Sequence, residues 1–385
     1  MKTINIEGKY NIAKAFVVAD ESTAIDQHAL AQIKMICDDE VSKDAVIRIM
    51  PDVHAGKVGP IGLTMKLKHK RIIPNLIGND IGCGLIVYKI ATKHKLTDSD
   101  FTKLDKVIKE YVPSGNKVHK SVDVETILKA TPKINTPMNF DKVALSMGTL
   151  GGGNHFIEVD VDEEGNYYLC VHTGSRSMGA IINDYYNKKG QEVLKAKGIE
   201  VPYEMTYIEG DLYDDYEWDC NQAVDFAYLN RQTIAETICK KMGWKIQSEM
   251  WDGIHNYLDY NNTLRKGSAC DADPIYDYRV YIPINMKDGI IYGTSKYYRN
   301  PDWNDSIPHG SGRLIKRSEV KDSVSLTMFK NEMKGIYSSC VRKDTIDESP
   351  FAYRRIEEIK EVVSEVIDVE GVLRPVYNFK AGGKE

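Results

Sequence analysis

The chain has 385 residues, 42% of them hydrophobic and 28% charged, with a formal net charge of −5. That balance is the one expected of a globular protein, and the negative total argues against a surface that is basic throughout, although it leaves room for local patches. Seven widely spaced cysteines with no CxxC pair exclude a disulfide framework and fit reduced thiols.

The opening stretch MKTINIEGKYNIAKAFVVAD has no uninterrupted apolar core of a signal peptide. No run approaches the ~18 apolar residues of a membrane span. The expected location is therefore cytoplasmic, with no membrane partner. In chain order, LIVYKI (85–90) is the first clear strand, rich in β-branched and aromatic residues. A candidate break follows at 113–115. HFIEVDV (155–161) and YYLCVH (167–172) read as two further strands, and the intervening DEEGN as the turn of a hairpin.

The acidic segment EGDLYDDYEWD (209–219) reads as a solvated face and a second candidate break. The basic runs KLKHKR (66–71) and RLIKR (313–317) stand against it. Residues 223–242 predict a helix with Ala227, Ile234, Ile238 and Met242 on one stripe. Residues 355–367 predict another, with Ile356, Ile359, Val363 and Val366 facing inward. Strands and helices alternate irregularly, so a simple doubly wound sheet is not implied, and a single large domain over 1–385 is expected.

Nine histidines occur, and five of them have a glycine within two residues: His54, His155, His172, His255 and His309. Glycine is placed where the backbone turns sharply or approaches a ligand closely, and loop or strand-end positions are where ligand and catalytic groups concentrate. The stretch PNLIGNDIGCGL adds Asp80 and Cys83, three residues apart on a glycine-rich backbone. Imidazole, thiolate and carboxylate are the common ligands of divalent transition metals. A thiolate can bridge two ions, and the glycines are expected to let the Asp80–Cys83 turn fold around them. His309, in HGSGR beside Arg313, is then left to attack a nucleotide phosphate, and GGGN (151–154) offers backbone N–H groups to phosphate oxygens.

The ordered set MPDVHAGKVGPIG, GNDIGCG, GTLGGGNHFIEV, HTGSRSMG, HNY, RKGS and HGSGR, with a lysine near the C-terminus, resembles the RtcB family of RNA-splicing ligases. The resemblance implies an α+β fold, a single large mixed domain of the RtcB type, with strands and helices around a central metal and nucleotide cleft. It implies joining of RNA 2′,3′-cyclic phosphate or 3′-phosphate ends to 5′-hydroxyl ends, in tRNA splicing or RNA repair, with GTP and two Mn(II) ions. It assigns His309 as the guanylylated residue. Cys83 is assigned as the sulfur shared by two metals, Asp80 and His155 as ligands of one, His172 and His255 as ligands of the other. Nucleotide contacts fall on Asn154, Phe156, Glu158, Asn256, Asn285, Gly310, Ser311, Gly312 and Lys380. A glutamate at 158 accepts from both donors on guanine's Watson–Crick edge. The chain departs from the family's usual wording at PINM (283–286), HGSGR, FKAGG (379–383) and YRRI (353–356).

Two alternatives share the ligands: a two-metal phosphohydrolase or phosphodiesterase, which has no use for His309, and a catalytically silent protein that binds RNA ends. His54 supports either the site or its own loop. Lys57, Arg176, Arg265, Lys266 and Arg313 are candidates for RNA phosphate contacts.

Overall fold

The computed structural model describes residues 2–18, 25–121, 133–271, 273–297 and 299–381. Its largest sheet is antiparallel throughout. The seven strands run in the order Lys245–Ile254, Gly84–Ala91, Tyr167–Thr173, Phe156–Val161, Ile367–Lys380, Gly289–Ser295 and Arg279–Asn285. A six-stranded sheet is built from Lys2–Glu7, Ile12–Val17, Val46–His54, Ile61–Lys66, Thr263–Lys266 and Asn256–Leu258, with one parallel pair, Ile12–Val17 beside Val46–His54.

Three predicted strands and their hairpin appear within a residue or two of the expected bounds. Both faces of the large sheet are covered. Ile86, Tyr88, Ile157, Val159, Leu169 and Val171 face one core, packed by helix Asp98–Tyr111 and the second half of helix Asp211–Met242. Leu85, Val87, Tyr168 and Cys170 face another, closed by Arg279–Asn285 and helix Ile356–Val363. Burial on both faces explains why the strands read as nearly continuous apolar runs rather than strict alternation.

Two expectations need correction. The acidic 209–219 segment is no break: Asp211 to Asp219 forms the first turns of a 32-residue helix. Its acids at the N-terminus complement the helix dipole, while Tyr213, Tyr216 and Cys220 are buried at helical spacing. Asp219 is itself fully buried and accepts from the Asn135 and Thr136 backbone N–H groups at 2.8 Å each. The second helix is shorter than expected, Ile356–Val363; Ile367 already begins the last strand. Ile356, Ile359, Val363 and Val366 are nevertheless all buried, as the stripe requires.

Because consecutive strands of an antiparallel sheet run in opposite directions, the ends of some and the beginnings of their neighbours share one edge. Gly84 pairs with both Ile254 and Thr173, His172 with Phe156, Phe156 with Lys380, and Asn285 with Gly289. Cys83, His155, His172, His255, Asn285 and Lys380 thus lie along a single end of the seven-stranded sheet.

Candidate active site

The glycine-flanked histidines converge at that edge. His172 Nε2 lies 3.4 Å from Cys83 Sγ and 3.2 Å from His255 Nε2. His155 Nε2 lies 3.6 Å from Cys83 Sγ and 3.1 Å from Asp80 Oδ2. Two ligand sets result, Cys83–His172–His255 and Asp80–Cys83–His155, each with its ligand atoms within 4.8 Å of one another, and the two share the Cys83 sulfur.

The other ring nitrogens are committed. Leu150 O takes His155 Nδ1 at 2.9 Å, and Asn154 O takes His172 Nδ1 at 3.2 Å. A carbonyl can only accept, so Nδ1 carries the proton and Nε2 presents its lone pair inward, the arrangement that fixes a metal-ligating histidine. Burial, with the His155 ring beside it, keeps the His172 imidazole well below its usual pKa; burial, with His309 and His172, does the same for His255. Both are neutral and free to donate a lone pair. Burial and Asp80 push the Cys83 thiol well up, and a divalent cation is the group that would make this sulfur a thiolate. Against the upward push of burial, the adjacent His155 and Cys83 hold Asp80 below the usual carboxylate range. The donor set fits a pair of divalent transition metals bridged by sulfur.

Packing fixes this geometry. A Cβ on Gly174 would sit 2.1 Å from Asp80 Oδ1, so only glycine admits the carboxylate there. Gly82 has φ +74° and lies where a Cβ would meet Ala227 Cβ at 2.8 Å. Its role is to let helix Asp211–Met242 close on the Asp80–Cys83 turn. Behind the turn, the fully buried Arg231 donates to Gly82 O at 2.8 Å and Thr173 O at 2.9 Å while pairing with Asp252 at 2.7 Å.

His309 follows strand Ser306–Pro308, its ring centroid 4.8 Å from that of His255. Its Nδ1 lies 2.7 Å from Oδ2 of Asp52, a fully buried carboxylate. Asp52 sits in MPDVH, two residues before His54, whose Nδ1 meets the Asp52 carbonyl at 3.1 Å. Sequence reasoning singled out the motif and its histidine but missed the aspartate.

A cleft of about 890 Å³ opens over the cluster. It is lined by Asp80, Cys83, His172, His255 and His309, and by Asn154, Phe156, Glu158, Asn256, Asn285, Gly310, Ser311, Gly312 and Lys380. The assigned nucleotide residues are thus brought together, though several side chains are engaged. Asn256 accepts from Gly267 N at 2.9 Å and donates to Asp80 O at 3.3 Å, positioning a ligand residue. Ser311 donates to Ile284 O. Asn285 bonds Asp288 and the N–H groups of its own turn. Lys380 pairs with the buried Glu348 at 2.6 Å, which also meets Arg313, Arg317 and the Tyr353 hydroxyl. Despite its burial, Glu348 is held down to about 2 by Lys380, Arg317 and Arg313. This hub was also missed from sequence.

Of the five cationic candidates, Lys57, Lys266 and Arg313 line the cleft. The Lys266 ammonium has no carboxylate partner among the described residues, and burial pushes it down to about 8. Arg265 is corrected: it is fully buried and spends its guanidinium on Asp259, Tyr257, Ser306 and two carbonyls. Arg176 packs on Gly151 and bonds Thr149 and the Gly115 carbonyl, outside the cleft lining but within electrostatic reach of Asp80 and Cys83.

Shared sulfur, three imidazoles and a carboxylate at the floor of the cleft, with a further carboxylate-oriented imidazole beside them, form a donor set able to hold divalent metal ions in an enzyme's active site. The chain matches the family model described as tRNA-splicing ligase RtcB over residues 40–141 and 125–381, and it belongs to that family. It is 28% identical to the RNA-splicing ligase RtcB of Escherichia coli strain K12, covering 87% of this chain and 90% of that protein. It is 26% identical to the tRNA-splicing ligase RtcB of Archaeoglobus fulgidus, covering 82% and 83%, and 25% identical to that of Nanoarchaeum equitans, covering 97% and 95%. No helix among the described residues is long and apolar enough to cross a membrane.

Proposed function

We propose that this RNA ligase joins an RNA 3′-phosphate, or a 2′,3′-cyclic phosphate after its opening by water, to a 5′-hydroxyl end, with GTP as co-substrate and Mn(II) as the metal. The observation that carries the reading is the His309–Asp52 pair set beside the ligand cluster. Asp52 holds His309 Nδ1–H, so Nε2 is the nucleophilic nitrogen. Nε2 attacks the α-phosphorus of GTP; a P–N bond forms, the bond to the β-phosphate oxygen breaks, and pyrophosphate leaves. The imidazolium charge is balanced by Asp52. An RNA 3′-phosphate oxygen then displaces the imidazole, and the 5′-hydroxyl attacks that 3′-phosphorus, releasing GMP and its proton.

Asp80, Cys83 and His155 would hold one cation and Cys83, His172 and His255 the other, supplying positive charge to the phosphate oxygens. Lys57, Lys266 and Arg313 line the cleft where RNA phosphates would run. The Lys57 and Lys266 ammonium groups support an anionic substrate despite the net charge of −5, while Arg313 is shared with Glu348.

The test is ligation of a 3′-phosphate RNA to a 5′-hydroxyl RNA with Mn(II) and GTP, alongside transfer of α-labelled GTP to protein. Wild type should give joined RNA and a covalent label, and H309A neither. Release of phosphate or opening of cyclic ends without GTP, and with H309A as active as wild type, would instead identify a phosphohydrolase.

A further inference from the structure

One polar side chain on the cleft floor belongs to no motif and makes no hydrogen bond of normal geometry among the described residues. Asn378 lies two residues before Lys380 on the last strand, opposite Glu158 in the sheet register. Period-two alternation places Phe156, Glu158, Asn378 and Lys380 on one face, and all four line the cleft. Asn378 is fully buried, and its backbone N–H donates to Tyr337 O at 3.0 Å. Its carboxamide faces Glu158, but neither its nitrogen nor its oxygen completes a hydrogen bond of normal geometry with any described residue, and the same holds for Glu158 Oε1. Lys380, by contrast, is committed to Glu348.

A buried carboxamide without partners is destabilising, and an apolar side chain of the same shape would be neutral or better. Such a group makes sense where a ligand completes it. Once ionised, Glu158 offers only acceptors; Asn378 adds a donor beside them. Guanine's Watson–Crick edge presents two donors followed by the 6-oxo acceptor. We infer that Asn378 is a specificity-determining residue that donates its side-chain N–H to the purine 6-oxo group while Glu158 takes the two adjacent donors. This inference rests on the GTP-dependent reading above.

The test compares Mn(II)-loaded wild type, N378L and N378A for equilibrium binding of GTP and of 6-thio-GTP, which keeps both donors but replaces the oxygen. Wild type should prefer GTP. In both variants GTP should weaken about tenfold, the size of one hydrogen bond lost from a buried partner, and the preference over 6-thio-GTP should fall towards one. Metal-free N378L should melt no lower than wild type, which a purely structural asparagine would not permit; N378A carries the binding comparison if N378L does not fold. Variants that bind GTP as tightly as wild type, with the same preference, overturn the assignment of Asn378 alone. Wild type that binds no GTP overturns the ligase reading with it.

Discussion

Asp52 and His309 show how one carboxylate can set a nucleophile. With Nδ1 held at 2.7 Å, only Nε2 can face the cleft as a lone pair. The variant D52N alters which ring nitrogen carries the proton and removes the countercharge, so guanylylation should slow by about 10²–10⁴-fold, while GTP and Mn(II) affinities change little. Rapid-quench labelling beside binding isotherms separates the two effects. Asp160 behaves differently. Burial pushes its carboxyl up to about 8, so its neutral form is favoured in the folded state. The sign follows: this contribution to stability is complete below the unfolded carboxylate range near ~4 and is withdrawn as pH rises through about 8. D160N should therefore gain stability relative to wild type as pH goes from 5 to 9, read as a widening difference in melting temperature; a constant difference would contradict it.

The ligands were legible because glycine beside histidine marks strand ends, and five such histidines stand out in one chain. Asp52 and Glu348 were not, because their importance comes from partners 257 and 32 positions away. Arg265 differs: its partner Asp259 is only six residues away, in the turn of the same hairpin, but nothing in RKGS says that it already occupies the guanidinium.

At the scale of elements, the site depends on helix Asp211–Met242 packing against the Asp80–Cys83 turn. Arg231 is the link, tying the turn and the Tyr167–Thr173 strand end to Asp252. Removing the guanidinium leaves a buried carboxylate and two carbonyls unpaired, a loss of about 3–5 kcal/mol. R231M should show this in denaturant unfolding and should also weaken Mn(II) binding, because Cys83 and His172 lose their support. Sequence pattern placed the second half of this helix well, where the apolar stripe is regular. It misplaced the start because six acids read as a solvated face, whereas Tyr213, Tyr216 and Cys220 carry the buried side. Composition and pattern conflict there, and the periodicity of the buried residues decides.

Across the whole molecule, the antiparallel order of the large sheet brings residues from position 83 to position 380 to one edge. Local spacing cannot reveal such an assembly, since the connections between strands, not the strands, set which ends coincide. The irregular alternation of elements argues only against a doubly wound sheet; the α+β class comes with the family resemblance, and the sheet order with neither. The same topology makes the proposed metal pair a clasp between distant segments. Mn(II) at 100 times its dissociation constant should stabilise the fold by about 2.7 kcal/mol per independent site, a gain that C83A should largely lose.

The most direct measurement is anomalous scattering from crystals grown with Mn(II). Two peaks should flank Cys83 Sγ, one contacted by Asp80 and His155 and the other by His172 and His255, both beside His309. Manganese absent from Cys83, or found only at surface carboxylates, would contradict the centre on which every step above depends.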